Sequence, residues 1–182
     1  MVFRRLGMII QEMTNQECLE FLKQANFGRL GCARDSQPYV VPIYFVSDSK
    51  SLYSFSTLGQ KIKWMRANPL ICVEVDEVVS QFQWRSVVVF GRYEELYDLP
   101  SGLEVRKYAL DLLQKRVMWW QPAYVATEHG GSSDGLTPIF YRLHINQVTG
   151  HRGMPDSLKE VGSKVAASIK PKARWSLLSR WR

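Results

Sequence analysis

Apolar and more polar residues alternate in short stretches over much of this chain. In LICVEVDE (70–77), for example, Ile71, Val73 and Val75 alternate with other side chains. A period of two residues places successive side chains on opposite faces of a strand. Together with turn-forming clusters such as DSQP (35–38), the pattern predicts six strands. These strands are expected at 27–34, 39–47, 51–57, 70–77, 81–96 and 138–150.

Three helices are predicted beside these strands. Thr14 followed by Glu17 is a capping-box signature, which opens a helix running to about Ala25. A second helix is expected over 59–69, and a third over 100–117. Because the turns are short and the helices lie at the margins of the strand-rich region, we expect a mainly β protein. It should be a small antiparallel barrel with peripheral helices. No βαβ alternation or glycine-rich dinucleotide fingerprint is present, which disfavours a classical nicotinamide dehydrogenase.

Positive charge is concentrated at the end of the chain. The 182 residues carry a net charge of +7, and +6 of it falls within residues 151–182. This shift predicts three segments: an N-terminal extension (1–13), a nearly neutral globular domain (14–150) and a basic C-terminal tail (151–182). The tail could contact an anionic membrane surface or a protein partner. No recognition motif in it supports binding to nucleic acid.

Hydroxyl and basic residues cluster where the third strand gives way to the second helix. Ser56, Thr57, Gly59, Lys61 and Lys63 fall within eight positions. A phosphate monoester needs hydroxyls, N–H donors and at least one cation, and the start of a helix adds a favourable dipole. The cluster predicts a phosphate site. A solvated helix with a basic face is the alternative interpretation.

Two segments around this cluster resemble a known superfamily. SFSTLGQKIKWMRANP (54–69) is similar to the phosphate-binding strand and helix of FMN-binding split-barrel proteins, typified by pyridoxamine 5′-phosphate oxidase. QWRSVVVFGRYEEL (83–96) resembles the strand that lines their flavin ring. The resemblance covers about residues 14–150 and implies a six-stranded antiparallel split β-barrel that holds FMN. It favours the nitroimidazole-resistance-like branch, because the C-terminal Trp and Arg/His segment of true pyridoxamine phosphate oxidases is missing.

The resemblance also implies which residues meet the cofactor, with Lys63 added from the basic cluster. Ser56, Thr57 and Lys61 are expected at the phosphate, and the main chain of the second strand at the pyrimidine edge of the flavin. Trp84 and Arg85 are candidates to face the cofactor or the partner chain, or to serve as surface or dimer-packing residues. The full set of predicted cofactor-binding residues is Val41, Pro42, Ile43, Ser56, Thr57, Lys61, Lys63, Trp84, Arg85, Ser86 and Val87.

The function that the resemblance implies is an FMN-dependent oxidoreductase acting on an unknown small molecule, with NAD(P)H as a candidate electron donor. Such proteins usually form homodimers with the cofactor at the interface. Two alternatives stay open: a non-catalytic flavin-binding or sensing module, and a haem-binding split-barrel protein with His151 as its ligand. No general acid or base stands out, so no catalytic residue is assigned, and no His, Cys, Asp or Glu cluster has credible metal-ligand spacing.

Cysteine usage and the N-terminus bear on the cellular compartment. Cys18, Cys32 and Cys72 cannot all pair, and they lack short metal-ligand spacing. The latter two fall inside apolar strand patterns, where a small buried side chain is expected. The apolar run near the N-terminus is far too short for a signal peptide or a membrane span. A reducing, cytoplasmic location is therefore predicted.

Overall fold

The computed structural model describes residues 7–97, 103–115 and 138–156. Within these ranges the chain forms eight strands and three helices, and every strand pairing is antiparallel. In chain order the elements are β1 (Met8–Glu12), α1 (Asn15–Gln24), β2 (Phe27–Arg34), β3 (Gln37–Tyr44), β4 (Val46–Ser47), β5 (Ser51–Ser56), α2 (Gln60–Ala67), β6 (Leu70–Ser80), β7 (Gln83–Glu95), α3 (Leu103–Gln114) and β8 (Ile139–Pro155). None of the described helices is long and apolar enough to span a membrane.

The predicted fold class, mainly β with peripheral helices, is confirmed, although the strand count rises from six to eight. One added strand comes from the segment 39–47, which divides at Phe45 into β3 and β4. The Phe45 side chain is buried, and its backbone N–H donates to the Asn26 carbonyl oxygen at 3.0 Å. The other added strand is β1, which has five residues and is completed only by pairing with β8.

The strands follow the spatial order β3-β2-β6-β7-β8-β5-β4, and β1 pairs with β8 beside this path. The two end strands, β3 and β4, are separated by a single residue, so the sheet must curl back on itself. Strand β8 spans both parts of the barrel. Its residues 139–144 pair with β5 and its residues 151–155 pair with β1, while β7 runs along its other edge.

The sheet extends past both ends of the predicted domain 14–150. Residues 8–12 and 151–155, which the sequence assigned to an extension and a tail, pair with each other in β1 and β8. The backbone N–H of Asp156 also donates to the Gly7 carbonyl oxygen at 2.9 Å. The division of the chain into domains stays a prediction, and the tail beyond residue 156 lies outside the described residues.

Helices α1 and α2 contribute to the same core from different places in the barrel. The capping box of α1 is present as predicted: the Glu17 N–H donates to Thr14 Oγ1 at 3.3 Å, and the Thr14 N–H donates to Glu17 Oε2 at 2.8 Å. The apolar face of α1 buries Cys18, Phe21 and Leu22, whereas α2 buries Ile62 and Met65. Helix α3 packs in a separate cluster with Val46, Tyr53 and Leu96.

Both helices contact strand β7, and the positions of these contacts show how far apart the helices lie. Near its start, the Arg85 guanidinium lies 4.2 Å from the centre of the Phe21 ring in α1. At its last residue, Glu95 binds Arg66 of α2. Ten residues of strand separate these contacts, which corresponds to about 30 Å. The α1 end and the α2 end of the barrel are therefore distinct sites.

Candidate functional site

The start of α2 offers unused hydrogen-bond donors. Gly59 is its N-cap residue, in extended conformation, and no side chain caps the first turn. The preceding strand ends at Ser56, which is buried, and Thr57 is half-buried. Among the described residues, neither hydroxyl has a hydrogen-bond partner. The first N–H groups of a helix and two adjacent hydroxyls together form a donor set suited to an anion.

Lys61 adds a cation in the first turn of this helix. Its side chain is half-buried, and burial lowers the pKa of its ammonium group; the nearby Cys32 thiol opposes that shift more weakly. No carboxylate or other acceptor contacts Lys61 in the described part of the chain. A partly desolvated ammonium without a counter-charge is unfavourable. A bound anion would remove this penalty.

Contacts with two strands, β2 and β7, hold α2 in place. Arg66 donates two hydrogen bonds to the Glu95 carboxylate, at 2.8 and 2.7 Å, and the Tyr93 hydroxyl donates to the same carboxylate at 2.9 Å. At the end of the helix, Asn68 Nδ2 donates to the Ala33 carbonyl oxygen at 3.0 Å. These contacts fix the orientation of the helix on which Lys61 is carried.

The same contacts bring Lys61 close to β3. Cys32, whose pKa responds to the charge of Lys61, is directly opposite Tyr39 at the start of the predicted second strand. The Tyr39 ring lies 5.4 Å from the ring of Trp64, which belongs to α2. The structure thus joins the predicted phosphate residues to the neighbourhood of Val41, Pro42 and Ile43, although 13 residues separate Ile43 from Ser56 in sequence.

Strand β3 has one open edge. It pairs with β2 alone among the described strands, so the backbone polar groups on its other edge have no strand partner. Pro42 is exposed on it, consistent with the expectation that a proline without an N–H lies at an edge. Ile43 points into the core and Val41 packs against the core, so these residues can offer a ligand mainly their main chain.

The four candidates on β7 divide between its two faces. Ser86 lies on the outer face, where its hydroxyl donates to Glu74 Oε1 at 2.9 Å. Arg29 of β2 donates to the other oxygen of Glu74 at 3.3 Å and also binds Asp76. Since Arg29 is directly opposite Pro42, this network connects Ser86 with β3 across the outer face.

The remaining β7 candidates lie elsewhere. The Val87 side chain is fully buried in the core, so only its main chain can meet a ligand. Trp84 packs over Gly153, with its Nε1 3.4 Å from the Met8 sulfur. Arg85 belongs to the α1 end, far from Lys61, and Lys63 is exposed on α2. The roles of these residues as cofactor contacts stay predictions.

The two histidines in the described part of the chain, His144 and His151, both lie on β8. His144 contacts the Glu94 carboxylate, which also accepts two hydrogen bonds from Arg142 at 3.0 and 2.9 Å. His151, the alternative haem ligand, is exposed on β8 and is directly opposite Ser86 and Glu12. All three cysteines are free thiols.

Sequence reasoning missed the residues that position the site. Tyr39, Trp64 and Asn68 fix α2 against β2 and β3, and none of them is among the predicted site residues. Arg29 was not singled out at all. The only signal available for Arg29 is its place between Gly28 and Leu30 in an alternating strand, which predicts its face but none of its partners.

Comparisons with known proteins agree with this fold. A family model described as pyridoxamine 5′-phosphate oxidase matches residues 14–152, so the chain belongs to that family. An uncharacterized protein of Rhizobium meliloti is 38% identical over 143 residues, covering 79% of this chain and 95% of that protein.

Two solved structures illustrate the range of the fold. A FAD-binding protein from Mesorhizobium loti is 41% identical, with a TM-score of 0.66 over 81% of this chain and 98% of its own. A proposed 5-nitroimidazole antibiotic resistance protein from Bacteroides thetaiotaomicron is 21% identical, with a TM-score of 0.59 over 82% of this chain and 90% of its own. At that lower identity the likeness concerns the fold alone. The split-barrel fold and the family are thereby confirmed.

Proposed function

We propose that this protein binds FMN and uses it in an oxidoreductase reaction on a small molecule. The observation that carries the proposal is the half-buried Lys61 ammonium, which has no acceptor among the described residues and stands in the uncapped first turn of α2. Family membership and the FAD-binding relative at 41% identity support a flavin as the ligand.

The residues of the site fit the parts of this cofactor. Lys61, the helix N–H groups and the hydroxyls of Ser56 and Thr57 would bind the phosphate. The open edge of β3 would orient the flavin ring through main-chain groups of Val41–Ile43. A bound flavin supplies the redox chemistry by accepting and returning electrons, and the protein positions it and tunes its potential.

The charge of the site favours FMN over FAD. FMN ends in a phosphate monoester with close to two negative charges, whereas FAD carries a pyrophosphate in which each phosphate bears about one charge. A single cation backed by helix N–H groups and two hydroxyls suits the compact dianion. The relative described as FAD-binding makes FAD the competing cofactor. Chromatography of the chromophore released from purified protein separates the two.

Substitution of Lys61 tests the phosphate assignment. We expect Lys61→Ala to lose bound flavin, seen as loss of the visible flavin absorption, while far-UV circular dichroism stays unchanged. Lys50→Ala is the control, because Lys50 is exposed in the segment before β5, at the opposite end of that strand from Ser56. Retention of flavin by the Lys61 variant at the level of the control would refute the assignment.

A homodimer is part of the proposal. The outer face of β3, β2, β6 and β7 exposes the apolar side chains of Val40, Leu70 and Phe90, with 64%, 59% and 47% of their surfaces accessible. Burying such a face against a second copy would be favourable and would cover the open edge near Pro42. Light scattering coupled to gel filtration measures the mass; a monomer that retains its flavin contradicts an interfacial site.

Catalysis is tested separately from binding. If the protein is an oxidoreductase, NAD(P)H or another small reductant should bleach the bound flavin under anaerobic conditions, and an acceptor should restore its colour. A flavin that no small reductant bleaches would indicate the non-catalytic flavin-binding module instead.

A further inference from the structure

A row of polar side chains crosses four strands at the α1 end of the barrel. In the sheet register, Glu77 of β6 is opposite Arg85 of β7, Arg85 is opposite Arg152 of β8, and Arg152 is opposite Gln11 of β1. Residues directly opposite each other on antiparallel strands have side chains on the same face, with Cβ atoms about 5 Å apart. Two arginines are therefore immediate neighbours in this row.

Both guanidinium groups reach the same turn of α1. Arg152 Nη1 donates to Glu17 Oε1 at 2.8 Å, and the Arg85 guanidinium lies over the Phe21 ring at 4.2 Å. Glu17 and Phe21 are four residues apart, so they share one face of the helix. Arg85 and Arg152 thus converge above this face, with β1 on one side and β6 on the other.

The existing partners use only some of the donors of this pair. Arg85 Nε donates to Glu77 Oε2 at 2.7 Å, and Arg152 contacts Glu17, which leaves most of the five N–H groups of each guanidinium available. Arg152 Nε is enclosed by protein and has no hydrogen-bond partner in the described part of the chain. A buried donor without a partner is costly, and like charges directly opposite on neighbouring strands are destabilising.

We propose that Arg85 and Arg152 form a second anion-binding site, which takes a carboxylate or phosphoryl group of a small molecule between the two guanidinium groups. An oxyanion there would accept from the remaining Nη–H groups of both side chains and would offset the repulsion between the two like charges. The side chains of Arg85 and Arg152 are 36% and 37% exposed, so the pair is accessible from solvent. Phe21 offers an apolar surface for the part of the ligand that carries no charge.

This site is separate from the proposed flavin phosphate site. Lys61 lies near Cys32, which is directly opposite Ile71, and Ile71 is opposite Gly91 on β7. Arg85 precedes Gly91 by six residues on that strand, a separation of about 20 Å. A ligand group at Arg85 and Arg152 therefore cannot be the phosphate held at Lys61.

The test is a titration of the flavin-loaded protein with inorganic phosphate and, separately, with acetate. Isothermal titration calorimetry measures the affinity for each anion. We expect at least one of them to bind wild-type protein, and Arg152→Lys and Arg85→Gln to weaken that binding about tenfold, as expected for loss of a charge-assisted hydrogen bond. Arg152→Lys keeps the positive charge and can keep the Glu17 contact, so it removes the guanidinium fork without stripping α1 of its partner. Arg142→Gln is the control, because Arg142 lies on the same strand but binds Glu94.

The outcomes separate this site from the one at Lys61. Binding of acetate alone identifies a carboxylate ligand, and binding of phosphate alone identifies a phosphoryl ligand. Equal affinity of an anion for wild type, Arg85→Gln and Arg152→Lys would overturn the proposal. Failure of both phosphate and acetate to bind wild-type protein would also overturn it. If the protein carries no flavin, phosphate binding that is lost in Lys61→Ala but kept in Arg152→Lys also overturns it.

Discussion

The two ends of this barrel differ in whether their positively charged side chains have partners. At the α2 end, Lys61 has no acceptor among the described residues, and the first turn of its helix has no side-chain cap. At the α1 end, the helix is closed by a complete capping box, and Arg85 and Arg152 each hold a carboxylate. A half-buried cation without a partner favours a ligand more strongly than cations that already contact a carboxylate. The difference assigns ligand binding first to α2.

The largest effect should come from truncating a buried side chain in each of the two helices. Ile62 of α2 and Leu22 of α1 are both fully buried. Either change to alanine should cost about 2–5 kcal/mol of unfolding free energy, because a cavity replaces a packed side chain. We expect only Ile62→Ala to reduce flavin affinity in protein that is still folded. Denaturant titration and flavin titration measure the two effects. Equal loss of flavin affinity in both variants would contradict the assignment of flavin binding to the α2 end.

An intermediate effect is expected from pH. Burial lowers the pKa of Lys61 in the free protein, while a bound phosphate would favour the charged form and raise that pKa. Flavin affinity should therefore be greatest below the lowered pKa and should fall as pH rises through it, beginning below the ordinary lysine value of 10.5. The loss can approach tenfold per pH unit. Flavin titrations across alkaline pH measure the decline, with Lys50→Ala as the control that keeps the dependence.

The Cys32 thiol near Lys61 must also be considered in that experiment. Burial raises the pKa of the Cys32 thiol, and Lys61 counteracts the rise. Cys32→Ser should leave the decline in flavin affinity in place if Lys61 is the titrating group. A decline that disappears in Cys32→Ser would instead assign the pH dependence to the thiol.

The smallest effect concerns the capping box. Thr14→Ala removes the side-chain oxygen that accepts from the Glu17 N–H, and it should cost about 1 kcal/mol of unfolding free energy. Because the cap belongs to the α1 end, flavin affinity should be unchanged. Thermal unfolding with and without added flavin measures both quantities. A change in flavin affinity comparable to the change in stability would show that the two ends are coupled.

Much of the fold could be predicted from the sequence because it depends on local patterns. The alternation of Ile71, Val73 and Val75 defines a strand and its buried face whatever its partners are. The capping box at Thr14 is likewise local, since its two hydrogen bonds join residues three positions apart. The phosphate cluster from Ser56 to Lys61 was visible for the same reason, as a change from strand to helix within a few residues.

The tertiary structure decided what depends on register and long-range pairing. β1 needs β8 to complete it, and Lys61 meets the neighbourhood of β3 only because Asn68 and Trp64 fix α2 there. A shift of one residue in the pairing of β7 with β8 would remove Arg152 from its place opposite Arg85. The sequence by itself therefore determined most of the elements and the phosphate cluster at the start of α2. Only folding decided which of them stand together, because non-local partners set the register.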